Sequence, residues 1–528
     1  MPISIADNPP RVNPWIIAVI VSLATFMEVL DTSIANVSLV HIAGGMASTP
    51  DEATWVLTSY LVSNAIVLPI SGWLTSVIGR KRFYMLCVAL FTGSSLLCGL
   101  APSLSWLIFF RVLQGAGGGG LQPSEQAILT DTFPPRQRGQ AFAVYGIAVV
   151  VAPVIGPTLG GWITDNFSWR WIFFINLPVG ILSLALVYYL LQESADAIAQ
   201  RKETLKHGLR VDYLGFGLVA IGLGSLQVVL DRGQENDWFS SDFIIFFFVL
   251  TVVGIVGAAI WEFITPDPMV DLPLYRKFNF AFTNLTMFAV GFILFGTTQL
   301  IPQYTQILMG YTATWAGLVI SPGGVAVMAL LPFVGYLVSH YQPKWLIALG
   351  MCIEGCALFY MTRFDTEVSF WTLANARLIQ ASGLAFLFVP INTIAYVGLP
   401  KGKTNNASAL INLARNLGGG FGVSLANTML IRRSQFHQSR LLSSSTLTPV
   451  SYHRAVNSVA AHLVHHGLNP VVAVHRAVAV LYQAVQAQAA MLSYIDVFKA
   501  LGIGAFLMIG LVVFLKRIPV GRHAPAVH

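Results

Sequence analysis

The apolar residues of this chain lie in long runs that are separated by short polar segments. A helix that crosses the hydrocarbon core of a bilayer needs about 20 predominantly apolar residues. Such runs occupy residues 15–37, 54–75, 84–103, 105–128, 139–164, 171–192, 212–230, 242–264, 280–303, 314–338, 345–362, 372–398, 406–431 and 496–516. The pattern predicts an all-α, polytopic membrane protein with fourteen spans. The first run carries acids and leads directly into further spans, which argues against a cleavable signal peptide.

Basic residues indicate on which side of the membrane each connection lies. They cluster in alternate connections, at 80–82, 136–138, 201–210, 276–277 and 401–403, and connections rich in Lys and Arg stay in the cytoplasm. Both termini are therefore predicted to be cytoplasmic, in the inner (plasma) membrane of a bacterium. The net charge of +7 follows from this topology and gives no reason to expect a nucleic acid. With 55% hydrophobic and 10% charged residues, a soluble enzyme is excluded.

Short sequence segments recur at a nearly constant distance along the chain. The pairs are Pro69-x-x-Gly72-Trp73-Leu74 with Pro332-x-x-Gly335-Tyr336-Leu337, Ala53-Thr54-Trp55 with Ala313-Thr314-Trp315, and Arg111-x-x-Gln114 with Arg377-x-x-Gln380. Ordered matches of this kind are typical of transporters built from duplicated halves. We therefore predict an N-terminal half of six helices at 1–199, an inserted pair of membrane helices at 200–270, and a C-terminal half of six helices at 271–528.

The connection 433–494 is far longer than the others and is predicted to face the exterior. Residues Val471–Met491 are rich in Ala, Val and Gln, which favours a helix within it. Two interpretations stay open: the helical element docks a partner, or it is a solvated hairpin without one. His462, His465 and His466 have the spacing of helical ligands, but no Cys or carboxylate joins them, so no metal site is expected.

Two acids stand in the first span, where charge is least favourable. Glu28 and Asp31 are three residues apart and share one helix face, and a carboxylate at the bilayer centre costs roughly 2.5–3.5 kcal/mol. Arg111, in the fourth span, is the natural partner of Asp31. We predict that these three residues couple proton binding to transport, with the proton-motive force and no cofactor as the energy source. The alternative is a fixed pair that only stabilises the bundle, and the sequence does not tell which acid carries the proton.

Five motifs, in order, resemble those of the fourteen-span drug:proton antiporters of the major facilitator superfamily. They occupy residues 30–37, 72–82, 111–115, 146–161 and 169–178. The resemblance implies two six-helix halves with two inserted helices, and export of amphipathic or hydrophobic toxic compounds in exchange for protons, hence antibiotic resistance. It also implies a tripartite efflux system, in which a periplasmic membrane-fusion adaptor and an outer-membrane channel are partners and the connection 433–494 is the candidate contact.

Two of these motifs are expected to govern the conformational change. Glycines permit close helix approach, and prolines bend a helix. The residues concerned are Gly72, Gly79, Arg80, Pro153, Gly156, Pro157, Gly160 and Gly161. Arg80 is expected either to latch the two halves together or only to set the topology, and Ser76 stands where the family motif often has an acid, which removes one partner for such a latch.

The substrate chamber is expected near the membrane midplane, between the halves. Aromatic walls suit hydrophobic and cationic compounds through stacking and cation–π contacts. The candidate lining residues are Asn36, Tyr60, Asn64, Tyr145, Phe292, Gln299, Asn392 and Tyr396. The alternative within transporters is a dedicated proton-driven exporter of one endogenous lipophile, such as a fatty acid or a siderophore.

Two other classes of protein fit the sequence less well than a secondary active transporter. An ATP-driven pump is disfavoured, because Gly402-Lys403-Thr404 follows Val397 where a phosphate-binding loop needs Gly. A membrane enzyme would need clustered nucleophile, base or metal ligands at one interface, and the predicted spans hold almost no histidine. We therefore expect no catalytic residues.

Overall fold

The computed structural model describes residues 12–134, 137–193, 198, 201, 212–265, 268–399, 403–445 and 449–516. These residues form α-helices and two short 3-10 turns, Trp238–Ser240 and Leu272–Arg276, and the described part contains no strand. The helices are α1 (Pro14–Val37), α2 (Leu39–Gly45), α3 (Pro50–Ala53), α4 (Trp55–Ile78), α5 (Arg80–Gly99), α6 (Leu104–Gly118), α7 (Leu121–Thr132), α8 (Arg138–Asn166), α9 (Trp171–Phe174), α10 (Asn176–Leu190), α11 (Tyr213–Arg232), α12 (Asp242–Ile264), α13 (Phe278–Ile307), α14 (Ala313–Val338), α15 (Pro343–Met361), α16 (Phe370–Ala395), α17 (Thr404–Ser445), α18 (Pro449–His465) and α19 (Pro470–Val513).

Local sequence signals explain where several helices begin and end. The side chain of Asn13 accepts a hydrogen bond from the backbone N–H of Trp15 at 3.0 Å and caps α1. Asn469 caps α19 in the same way, with Pro470 at the first helical position. Gly79 ends α4 with a φ of +97°, a conformation that glycine adopts without a steric penalty.

The predicted membrane protein is confirmed, but the count of fourteen spans is not. Twelve helices among the described residues are long and apolar enough to cross a membrane. The predicted span 105–128 is divided at a run of glycines into α6 and α7, of 15 and 12 residues. The predicted span 406–431 lies in α17, whose membrane-length portion carries polar residues such as Asn412 and Arg415. Neither of these two predicted spans contains an apolar helix as long as those of the other twelve predicted spans.

We call helices α1–α10 the first group of helices. Within it, α1 packs against α8 and α10. The main contacts that join this group to the later helices are those of α8 with α14 and α16, and those of α4 and α7 with α17. Helices α11 and α12 pack on each other, and α11 lies against α4. The predicted boundary at residues 199–200 falls outside the described residues, and the division into two halves and an inserted pair stays a prediction.

The long predicted connection is helical over most of its length. Helix α17 has 42 residues and α19 has 44, so at 1.5 Å per residue each is about twice as long as a bilayer core is thick. Helix α18 packs on α19 around Val456, Ala460, Ala473 and Ala477. The predicted helix Val471–Met491 is confirmed as part of α19. Both flanking helices, α17 and α19, continue into the connection 433–494, and its position outside the membrane stays a prediction. We call residues 433–494 the helical extension.

Candidate functional site

The predicted partners Asp31 and Arg111 form a buried ion pair. The guanidinium Nη1 of Arg111 lies 2.6 Å from Oδ2 of Asp31, and both side chains are at most 1% exposed. Oδ1 of the same carboxylate accepts hydrogen bonds from Gln114 at 3.0 Å and Asn176 at 2.6 Å. Arg111 also donates Nε to the carbonyl of Val56 at 3.0 Å. The charge of Asp31 is therefore balanced and fully enclosed, as a charge within a membrane requires.

The pair is positioned by close packing of α1 on α8. A β-carbon at Gly156 would lie 2.5 Å from Cβ of Ser33, and one at Gly160 would lie 2.9 Å from the side chain of Ile34. The hydroxyl of Ser33 donates to the carbonyl of Pro153 at 3.2 Å. Helix α8 thus approaches α1 two and three residues after Asp31. Pro157 and Gly161 of the same motif are buried in α8.

Glu28 occupies a different polar environment from Asp31, although it lies one turn away. Its carboxylate accepts hydrogen bonds from Gln122 at 2.6 Å, from the hydroxyl of Tyr60 at 3.2 Å and from Asn64 at 3.4 Å. None of these donors is charged. Tyr60 connects the two acids, because its ring also packs under the guanidinium of Arg111, 4.3 Å from the ring centre.

Gln122 links Glu28 to a cation on a distant helix. Its side-chain oxygen accepts a hydrogen bond from Nη2 of Arg415 on α17, while its nitrogen donates to Glu28. Nη1 of Arg415 donates to the hydroxyl of Tyr145 at 3.0 Å. Arg415 is 2% exposed, forms no ion pair among the described residues, and leaves Nε without a hydrogen-bond partner. A buried cation is therefore held by neutral groups.

A second amide, Gln126, extends this network one turn further along α7. Its side-chain oxygen accepts hydrogen bonds at 2.9 Å from Tyr396, Ser408 and Asn412. The donors come from the end of α16 and from α17. We call the set around Gln122 and Gln126 the amide network, with members Glu28, Tyr60, Asn64, Gln122, Gln126, Tyr145, Tyr396, Ser408, Asn412, Arg415 and Asn416.

The structure places the predicted lining residues in different surroundings. Four of them belong to the amide network: Tyr60, Asn64, Tyr145 and Tyr396. Asn392 is buried and donates to the carbonyl of Phe388 in its own helix at 2.8 Å. Phe292 is half-buried, and Asn36 and Gln299 are exposed.

The motif around the end of α4 lies where α4 meets α17. A β-carbon at Gly72 would lie 3.0 Å from Cα of Asn406, so the two helices touch there. Arg80 forms its ion pair with Asp131 of α7, a helix of the same group, so this contact does not bridge to α17. Both contacts lie at the end of the bundle that the basic residues predict to be cytoplasmic.

The residues that sequence reasoning missed are mainly amides. Gln114 and Asn176 lie in the motifs 111–115 and 169–178 but are not among the predicted site residues, and Gln122 and Gln126 lie in no motif. The sequence alone does not tell whether a neutral amide in an apolar run has a specific hydrogen-bond partner. The available signal was that three Gln residues follow one another at short spacing in the fourth run.

Comparison with known proteins gives a consistent result. Residues 21–423 match the family model of the Major Facilitator Superfamily. The chain is 39% identical to the multidrug export protein EmrB of Escherichia coli (strain K12), over 81% of this chain and 82% of that protein. It is 36% identical to the fatty acid resistance protein FarB of Neisseria gonorrhoeae, over 88% and 89%. The segments Leu230-Asp231-Arg232-Gly233 and Asp237-Trp238-Phe239 by themselves indicate a resemblance to EmrB, and the comparison confirms it.

A solved structure shows the same fold at low sequence identity. The proton:xylose symporter XylE superimposes with a TM-score of 0.59 and 16% identity, covering 96% of each chain. At this identity the match supports the arrangement of helices and carries no information on substrate.

Proposed function

Because the chain belongs to the major facilitator superfamily and is therefore a multi-pass membrane transporter, we propose that it exports amphipathic toxic compounds in exchange for protons. The observation that carries this proposal is the ion pair between Asp31 and Arg111, fully buried in a span. A carboxylate that parts from its cation in dry surroundings is stabilised by a proton, and pairing releases that proton. A conformational change that breaks and remakes this contact couples proton movement to transport.

The packing of α8 on α1 supports such a coupling. The proline- and glycine-rich part of α8 touches α1 directly after Asp31 and packs along α14 on its other side. Movement of α14 relative to the first group of helices is therefore transmitted to the surroundings of Asp31. Glu28 is the alternative proton carrier, because its amide network reaches Arg415 on α17 and changes whenever α17 moves.

The helical extension supports a periplasmic partner. Val471, Val474 and Val478 of α19 are 69%, 44% and 41% exposed and follow one another at helical spacing. We place the protein in a bacterial inner membrane with both termini in the cytoplasm. The extension then contacts a membrane-fusion adaptor, which leads to an outer-membrane channel.

The partner can be tested by adding charge to the exposed valines. We expect Val478→Asp to reduce drug resistance in cells and to leave transport in proteoliposomes unchanged, because only cells contain the partner. Asn457→Asp, which adds the same charge on an exposed position of α18, is the control. Equal resistance of both variants would contradict a contact at this face.

Antiport itself is tested in proteoliposomes that hold a pH gradient. A dye-like amphipathic substrate should dissipate the gradient with the native chain. Asp31→Asn should abolish this effect, and Glu28→Gln decides whether the second acid is also required. Glu367→Gln, which changes an exposed acid between α15 and α16, should behave as the native protein. Substrate movement that leaves the proton gradient untouched would refute the proposal.

Arg415 favours a second candidate, an exporter dedicated to an acidic lipophile. Its guanidinium is buried, and among the described residues it has no carboxylate within ion-pair distance and no hydrogen-bond partner for Nε, which suits the head group of a fatty acid. The relative FarB is named for fatty acid resistance. A fatty acid and a fatty amine of equal chain length distinguish the candidates: transport of the acid alone, lost in Arg415→Gln, supports the dedicated exporter, and transport of both supports the multidrug exporter.

A further inference from the structure

The second copy of the repeated motif forms a polar cluster that the proposed mechanism does not use. Arg377 and Gln380 of α16 correspond to Arg111 and Gln114, 266 positions earlier. Nη1 of Arg377 donates to Gln380 at 2.7 Å, as Arg111 does to Gln114 at 2.8 Å. The two motifs therefore share their internal geometry as well as their sequence.

The acid that pairs with Arg111 in the first site, Asp31, has no acidic counterpart at the equivalent position of the second site. Gln114 donates to Asp31 at 3.0 Å, and Gln380 donates to Thr297 at 2.9 Å. Asp31 and Thr297 are also 266 positions apart, so the threonine hydroxyl stands where the carboxylate stands in the first site. Arg377 donates Nη2 to the hydroxyl of Thr298 at 3.1 Å, and its Nε has no hydrogen-bond partner among the described residues.

An acid reaches this second site from another helix. Glu354 of α15 is fully buried, and its backbone and Cγ lie 3.1 Å from the β-carbon position of Gly383, one turn after Gln380. Gly383 and Gly350 allow α15 and α16 to approach closely at this level. The acid interacts electrostatically with Arg377 and Gln380, but with the residues that the structure describes it forms no ion pair within 4.0 Å and no hydrogen bond of normal geometry.

The residue that follows Glu354 packs on an apolar part of α19. On the side of α15 that faces α19, Gly355 contacts the ring of Phe506, and Gly502 lies against Phe359. Arg377 is the one charged group among the described residues whose charge acts on Glu354. An unpaired carboxylate in such surroundings costs several kcal/mol, and either a proton or contact with a cation removes that cost.

We propose that Glu354, with Arg377, forms a second proton-binding site, so that each transport cycle couples to one proton more than the site in the first group of helices supplies. The two sites differ in state within one structure: Asp31 touches its guanidinium, and Glu354 is separated from its own. A helix movement that brings Glu354 onto Arg377 expels the proton, and separation takes it up again. This inference rests on the proposed proton antiport.

The number of coupled protons is the quantity that tests the second site. In proteoliposomes clamped at zero membrane potential, each coupled proton supports about a tenfold substrate gradient per pH unit. The native chain should hold a dye gradient about tenfold steeper per pH unit than Glu354→Gln, which keeps the size of the side chain and cannot ionise. The exposed variant Glu367→Gln should match the native gradient.

Two further variants make the result decisive. Glu354→Gln combined with Arg377→Gln removes both charges, leaves no unpaired ion and should show the same tenfold loss. Thr297→Asp in the Glu354→Gln background places an acid at the position equivalent to Asp31 and should restore the native gradient. A purely structural role of Glu354 would leave the proton number unchanged in any folded variant, and that result would overturn the second site. If the native protein itself shows no proton coupling, that result refutes the proposed function and not only the second site.

Discussion

Replacing Gly156 with alanine should separate α8 from α1 beside the buried ion pair. The new β-carbon would lie 2.5 Å from Cβ of Ser33, about 1 Å short of ordinary carbon–carbon contact. Both atoms belong to helix backbones or are fixed directly to them, so the helices themselves must move. Overpacking of this kind costs about 1–3 kcal/mol, and the displaced α1 carries Asp31 away from Arg111.

Gly217→Ala is the matched control for this substitution. A β-carbon at Gly217, in α11, meets nothing within 4 Å, so the control gains only the higher helix propensity of alanine, up to about 1 kcal/mol. We expect Gly156→Ala to unfold at a lower temperature than Gly217→Ala in detergent and to lose drug-driven proton flux in proteoliposomes. Adding Ser33→Gly makes room for the new methyl group and should restore flux. Equal flux and equal unfolding temperatures in the two alanine variants would refute the positioning of Asp31 by this contact.

Three other substitutions have defined outcomes. Arg111→Lys keeps the charge but loses the Nε hydrogen bond to the carbonyl of Val56, so proton-coupled flux should fall at least about tenfold, whereas Arg363→Lys, at an exposed position, should have no effect. Gln122→Leu leaves two buried charges without their bridge, which costs about 1–3 kcal/mol and should appear as a lower unfolding temperature. Arg433→Ala breaks a partly exposed ion pair to Asp496 and should change stability by less than about 1 kcal/mol.

The charged contacts of the first site could be predicted from sequence because charge is rare in the spans. An acid in a spanning helix requires a partner, and Arg111 is the basic residue of the motifs that lies inside a predicted span, so its ion pair with Asp31 is expected. Their part in proton coupling stays a prediction. Helix positions followed in the same way from apolar length, apart from α6, α7 and α17, where glycines and polar residues shorten the apolar runs.

The amide network and the second acid could not be predicted, for physical reasons. Gln122 and Arg415 are 293 positions apart, and an amide has no charge that demands a particular partner. The repeat places the acid that would pair with Arg377 at position 297, but the residue there is the neutral Thr297. Glu354 reaches Arg377 because Gly350 and Gly383 let α15 and α16 approach, a feature of packing between helices that the repeat offset does not contain.

The distribution of charges suggests how the contact between the groups of helices can open. The buried ion pair lies within the first group, between α1 and α6. The contacts between α7 and the pair α16 and α17 use amides and hydroxyls, as at Gln126, together with the guanidinium of Arg415, which bonds to the neutral amide of Gln122. Breaking a buried ion pair costs about 3–5 kcal/mol, whereas a neutral hydrogen bond that is exchanged for water contributes only about 0.5–1.5 kcal/mol. An interface made mainly of neutral bonds separates at low cost when water enters, while the charges that we propose to bind protons stay enclosed within each group.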